Sequence, residues 1–130
     1  MMTTELTALA LAGLLQGLQF VAYSVAANRQ VGPHVAMGPR DRTPALTGIP
    51  GRLQRALNNH FEGLILFIIA VVVVTLGDAA SGMTALCAWI YLAARVLYVP
   101  AYVFGWVPWR SIIWAIGFAA TMTMILAALI

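Results

Sequence analysis

Arg52-Leu-Gln-Arg-Ala-Leu-Asn-Asn-His-Phe-Glu62 runs without a break into Gly63-Leu-Ile-Leu-Phe-Ile-Ile-Ala-Val-Val-Val-Val74. At about 100° per residue on a helix, Arg52, Arg55, Asn59 and Glu62 fall along one face. The apolar run carries no charge and reads as the same helix continuing across a membrane. Charge at mid-bilayer is costly, roughly 2.5–3.5 kcal/mol per group on an insertion scale unless it is paired. Two guanidinium groups, an amide and a carboxylate in one stripe at a membrane mouth therefore read as a binding face.

Composition supports the same reading. Of 130 residues, 62% are hydrophobic and 8% charged, with a mean hydropathy of +0.92. A soluble domain carries about a quarter charged residues, so the chain is expected to be a single all-α integral membrane domain. The net charge of +3 comes from seven arginines and no lysine. Most of them cluster between Arg29 and Arg55, so the excess marks one inter-span segment and not a nucleic-acid surface. Arginine without lysine favours planar or multi-oxygen anions, because the guanidinium fork binds them bidentately. The lone Cys87 excludes an intramolecular disulfide and a multi-cysteine metal site, and its apolar neighbours predict a packed thiol. The N-terminus has no basic region or small-residue cleavage site, so the first span is expected to be retained.

Four spans are expected, at about 4–27, 52–76, 82–104 and 109–130, with one long loop over 28–51. In the first, Glu5 suits the positive end of the helix dipole. Gln16, Gln19 and Tyr23 form a polar face expected to point at other helices. Pro33, Pro39, Pro44 and Pro50, with four glycines, argue against a regular helix across the loop. Ser81 is a candidate N-cap for the third span. That span carries Tyr91, Arg95, Tyr98 and Tyr102 in one stripe, and Pro100 predicts a kink. Trp106 and Trp109 suit an interfacial belt. Arg29, Arg40, Arg42, Arg52 and Arg55 flank the first loop and Arg110 the third, so both loops are expected in the cytoplasm and both termini outside.

The polar stripes converge on that cytoplasmic side. The bland reading pairs Glu62 with Arg95 or Arg55 and leaves the rest as snorkelled interface residues. One carboxylate cannot offset three or four cations, so the surplus points to an anionic ligand. No metal-ligand spacing is present, since His34 and His60 are isolated. His60 lies off the stripe and reads as ordinary packing. No glycine-rich phosphate loop or Ser/His/Asp triad can be assembled, and Ser111 has no base nearby.

Arg52-x-x-Arg55-Ala-x-x-Asn59-x-x-Glu62, with the apolar run behind it, resembles the second-helix signature of the MAPEG family (membrane-associated proteins in eicosanoid and glutathione metabolism). Arg95-x-x-Tyr98-x-x-x-Tyr102 and then Arg110-Ser111 are similar to its third- and fourth-helix pattern. The loop from Met37-Gly-Pro-Arg-Asp41 to Gly51 is similar to that of bacterial members. The resemblance implies a homotrimer of four-helix transmembrane bundles in a bacterial inner membrane. It implies glutathione as cosubstrate, bound between neighbouring subunits near the cytoplasmic side. Arg55, Asn59 and Glu62, with Arg52 beside them, would hold its backbone and charged ends. Arg95, Tyr98 and Tyr102 would complete the pocket, and Arg29 would reach it from the first helix. Arg110 would stabilise the thiolate, with Ser111 alongside. The implied activity is a glutathione transferase or peroxidase acting on lipophilic electrophiles or lipid hydroperoxides drawn from the bilayer. Three positions depart from the family: Asn58 where several members have another basic or polar contact, Tyr98 where some have histidine, and Trp114 where a tyrosine is common. A small multidrug-type transporter and a non-catalytic assembly protein are the alternatives. Glu62 sits too near its helix start, among arginines, to suit the transporter.

Overall fold

The computed structural model describes residues 2–39 and 45–130. Arg40, Arg42 and Pro44, used above for topology and loop character, lie outside the described residues. Five helices appear among the described residues, with no strand: α1 (Thr4–Val31), α2 (Pro33–Met37), α3 (Gly48–Leu76), α4 (Gly82–Val103) and α5 (Trp109–Leu129). All but α2 are long and apolar enough to cross a membrane. Even α5, the shortest of the four at 21 residues, reaches about 32 Å, against a hydrocarbon core of about 30 Å.

The helix ends explain where the sequence reading falls short. α1 continues one turn beyond Ala27, because Asn28-Arg-Gln-Val31 contains no breaker. It stops at Gly32, whose φ of +88° leaves the helical region. The proline-rich stretch is not free of helix. Pro33 opens the short α2 at a position where its missing N–H costs nothing. Pro50 likewise falls in the first turn of α3, which starts four residues before Arg52. Gln30 ties these ends together. Its side-chain amide donates to the Thr47 carbonyl and its oxygen accepts from Thr47 N, both at 2.9 Å.

Ser81 caps α4 as expected. Its hydroxyl accepts from Thr84 N at 3.2 Å, and Thr84 Oγ1 accepts from Ser81 N at 2.8 Å. Pro100 stands in the last turn of α4, and the helix runs through it to Val103.

Small residues let the helices approach. Ala8 and Ala12 of α1, Ala70 of α3, Ala88 of α4 and Ala120 of α5 are all in the buried core, as interfaces between helices in lipid favour. A Cβ on Gly117 would come within 3.3 Å of the Ala94 Cβ, so α5 lies close on α4 there. Phe67 and Tyr91 stack between α3 and α4, with centroids 3.9 Å apart. Leu14, Leu18, Val21, Ile65, Ile69 and Leu86 face outward, where lipid would receive them. Glu5 is buried at the end of the bundle away from Arg52, accepting from Thr84 Oγ1 at 2.6 Å. It therefore joins α1 to α4 as well as sitting at a helix N-terminus.

Candidate functional site

Cross-helix contacts set the register of α3 against α4. Arg52 Nη1 donates to the Val103 carbonyl at 3.1 Å, and Arg55 Nε to the Tyr102 hydroxyl at 3.0 Å. Arg95 Nη1 donates to Asn59 Oδ1 at 2.8 Å. Numbers rise along α3 as they fall along α4, so the helices are antiparallel and the two polar stripes face each other.

Arg95 is the best-anchored of these cations. Its Nε donates to His60 Nδ1 at 3.3 Å, and its guanidinium lies 4.5 Å from the centroid of the Tyr98 ring. The other ring nitrogen of His60 sits 3.2 Å from the Ala12 carbonyl oxygen of α1. A carbonyl can only accept, so Nε2 carries the proton and Nδ1 is free to receive Arg95. One neutral imidazole thus links three helices.

α5 completes the group. Arg110 and Ser111 lie in its first turn, where the positive end of the helix dipole adds to the local potential. The Arg110 guanidinium lies over Tyr102, 4.8 Å from the ring centroid. Tyr98 and Tyr102 are neighbours, with centroids 5.7 Å apart.

Two adjoining cavities open among α3, α4 and α5. The mouth, about 250 Å³, is lined by Asn59, Tyr98, Tyr102, Arg110, Ser111 and Trp114. The inner cavity, about 190 Å³, shares Asn59 and Trp114 with the mouth. It adds Glu62, Gly63 and Leu66 from α3, Tyr91 and Arg95 from α4, and Ile113 and Phe118 from α5. One end of the combined space is polar and cationic and the other largely apolar. It could hold a small acidic molecule against a lipophilic one.

Of the residues singled out from sequence, Asn59, Glu62, Arg95, Tyr98, Tyr102, Arg110 and Ser111 line these cavities, and Arg55 reaches Tyr102 at the rim. Arg52 is used in closing the end of α4. Arg29, exposed in the last turn of α1, lines neither cavity. The bland pairing of Glu62 does not occur. Arg95 and Arg55 have the partners named above, and Glu62 is exposed with no hydrogen-bond partner among the described residues.

His60 is the residue that sequence reasoning passed over. It is off the stripe, fully buried, and orients Arg95 from behind. No sequence signal marked it, because its partner on α1 is the backbone carbonyl of Ala12.

A model described as MAPEG family matches residues 4–130, nearly the whole chain. Comparison with curated proteins and with solved structures returns no match.

Proposed function

Because the chain belongs to the MAPEG family, a glutathione-associated family of helical membrane proteins, we propose that it binds glutathione across the mouth cavity and the Asn59–Glu62 wall of the inner one. There the chain activates the thiol for attack on a lipophilic electrophile or hydroperoxide. The observation that carries this is Arg110. Its guanidinium rests on the Tyr102 face at the cavity wall and has no acidic partner among the described residues.

The ligand's chemistry matches the wall. Glutathione has two carboxylates, an ammonium and a thiol. Arg55 takes a carboxylate, Glu62 the ammonium and Asn59 the peptide backbone, while Tyr98 and Tyr102 form a platform. Arg95 holds Asn59 in place. A free thiol with pKa about 8.5 is only about 3% ionised at pH 7. A neighbouring guanidinium that lowers it by one unit raises that to about a quarter. Arg110 supplies this charge from α5, and Ser111 can donate to the same sulfur. In a homotrimer, the exposed Arg29 would complete the site of a neighbouring subunit. The arginine-flanked loop would put the mouth on the cytoplasmic side, with both termini outside. Retention of the detergent-solubilised protein on immobilised glutathione, and its loss in Arg55→Ala, tests the reading. Full retention of the variant by the same matrix would contradict it.

A further inference from the structure

Arg52 stands outside both cavities, exposed at the corner where α4 turns into α5. Its Nη1 closes the end of α4 on the Val103 carbonyl. Its guanidinium lies against Gly105, where a Cβ would be 3.7 Å from Nη1. With Nη1 engaged there, Nε and Nη2 form the parallel fork on the other side of the group, and that fork has no hydrogen-bond partner among the described residues. The described carboxylates are remote. Glu5 and Asp78 lie at the opposite end of the bundle, and Glu62 lies ten residues, about 15 Å, farther along α3.

Around this cation the surface is apolar. Phe104, Trp106, Val107 and Trp109 are between 47% and 69% exposed, and the Phe104 and Trp106 rings pack with centroids 6.0 Å apart. Beyond the corner, Trp109, Ile112, Ile116, Ala119, Thr123 and Leu126 recur at steps of three and four and are all exposed. They form one outward stripe down α5. The stripe bears no charge, and its one hydroxyl is satisfied from within, Thr123 Oγ1 donating to the Ala119 carbonyl at 2.8 Å. A helix face turned to hydrocarbon requires this. Four residues separate Gly105 from Trp109, at most about 14 Å of chain, so one molecule can touch both the cation and the stripe.

We propose that this corner is a headgroup site for an anionic phospholipid. The Nε–Nη2 fork of Arg52 holds its phosphodiester, and its acyl chains lie on Trp109 and the α5 stripe. A guanidinium fork matches two phosphate oxygens. A tryptophan at the boundary offers an indole N–H to the glycerol region and an apolar ring to the chains. A zwitterionic lipid fits less well, because its own ammonium competes with Arg52 for the phosphate. So does a second copy of the chain. Helices in lipid approach one another over small residues, and the α5 stripe is mostly bulky, whereas Gly13 and Gly17, with open space beyond them, lie on α1. The headgroup site uses neither cavity, so it stands or falls separately from the glutathione reading.

The test is native mass spectrometry of the full chain released from nanodiscs holding equal amounts of dioleoyl phosphatidylglycerol and dioleoyl phosphatidylcholine. The wild type retains phosphatidylglycerol about fivefold over phosphatidylcholine, the scale of one arginine at an anionic surface. Arg52→Gln, whose amide can still donate to the Val103 carbonyl, loses the preference. Equal retention of the two lipids by the wild type, or an undiminished preference in Arg52→Gln, overturns the site. Thermal unfolding guards against a merely misfolded variant, each protein being compared with its own midpoint in phosphatidylcholine. Phosphatidylglycerol raises the midpoint of the wild type and leaves that of Arg52→Gln in place, and an equal rise in both ends the proposal. Glycerol phosphate, a headgroup without chains, does not displace the retained lipid. Displacement by it would reduce the corner to a site for free phosphate anions. Trp109→Ala lowers phosphatidylglycerol retention at constant oligomeric mass. A changed oligomeric mass with retention intact would give the stripe to a second copy and contradict the lipid assignment.

Discussion

His60 and Arg95 are joined inside the bundle, the arginine Nε donating to the histidine Nδ1 at 3.3 Å, while the other face of the imidazole holds the Ala12 carbonyl at 3.2 Å. A buried cation is thereby fixed without a carboxylate. The arrangement positions Arg95 and leaves its charge available to the cavity.

Glutamine can reproduce both contacts of that histidine, with an amide N–H for Ala12 and a carbonyl oxygen for Arg95. His60→Gln is expected to retain glutathione affinity within a few-fold. His60→Leu leaves the guanidinium N–H unsatisfied, at a cost of about 1–3 kcal/mol, and weakens glutathione binding through Asn59. Thermal unfolding in detergent together with glutathione titration checks this. Equal behaviour of the two variants would reduce His60 to filler.

Arg110→Ala is expected to abolish the ultraviolet absorbance of bound glutathione thiolate while leaving binding within a few-fold, because the other contacts to the tripeptide remain. Undiminished absorbance in that variant would remove Arg110 from thiol activation.

Glu62→Gln removes the only described carboxylate lining either cavity. Glutathione affinity is expected to fall about tenfold, the scale of one charge-assisted hydrogen bond. Des-amino glutathione, lacking the ammonium, should bind both proteins alike. A Glu62→Gln protein with wild-type affinity for glutathione would mean that Glu62 serves the fold.

At the other end of the bundle, Thr84→Val keeps the side-chain shape and severs the bond to Glu5. It also removes half of the Ser81 capping box. Stability is expected to drop by about 1–3 kcal/mol, with glutathione affinity unchanged, since neither residue lines a cavity. Thermal unfolding midpoints with and without glutathione would show it. A shift that disappears on adding glutathione would tie this end of the bundle to the site.

Much of this was legible in the sequence because membrane helices are written plainly. Runs such as Ser111 to Ile130 have the length of a span and no charge. The polar stripes of α3 and α4 were legible for a related reason: in a span, every polar residue is an exception. The helix ends were less so. Pro33 and Pro50 read as breakers, yet a proline in the first turn of a helix gives up no hydrogen bond, and both sit there. His60 was missed because periodicity reports which face a residue is on and not what lies opposite. The acceptor behind it is a backbone carbonyl of α1, which has no signature in the residue string.

The most direct measurement is a glutathione titration of the solubilised wild-type protein at neutral pH, followed in the ultraviolet thiolate band. A saturable rise that is absent with S-methylglutathione is the result expected from Arg110 over Tyr102 at the cavity mouth. A flat trace, with glutathione failing to bind, would contradict a site built to gather a small acidic thiol.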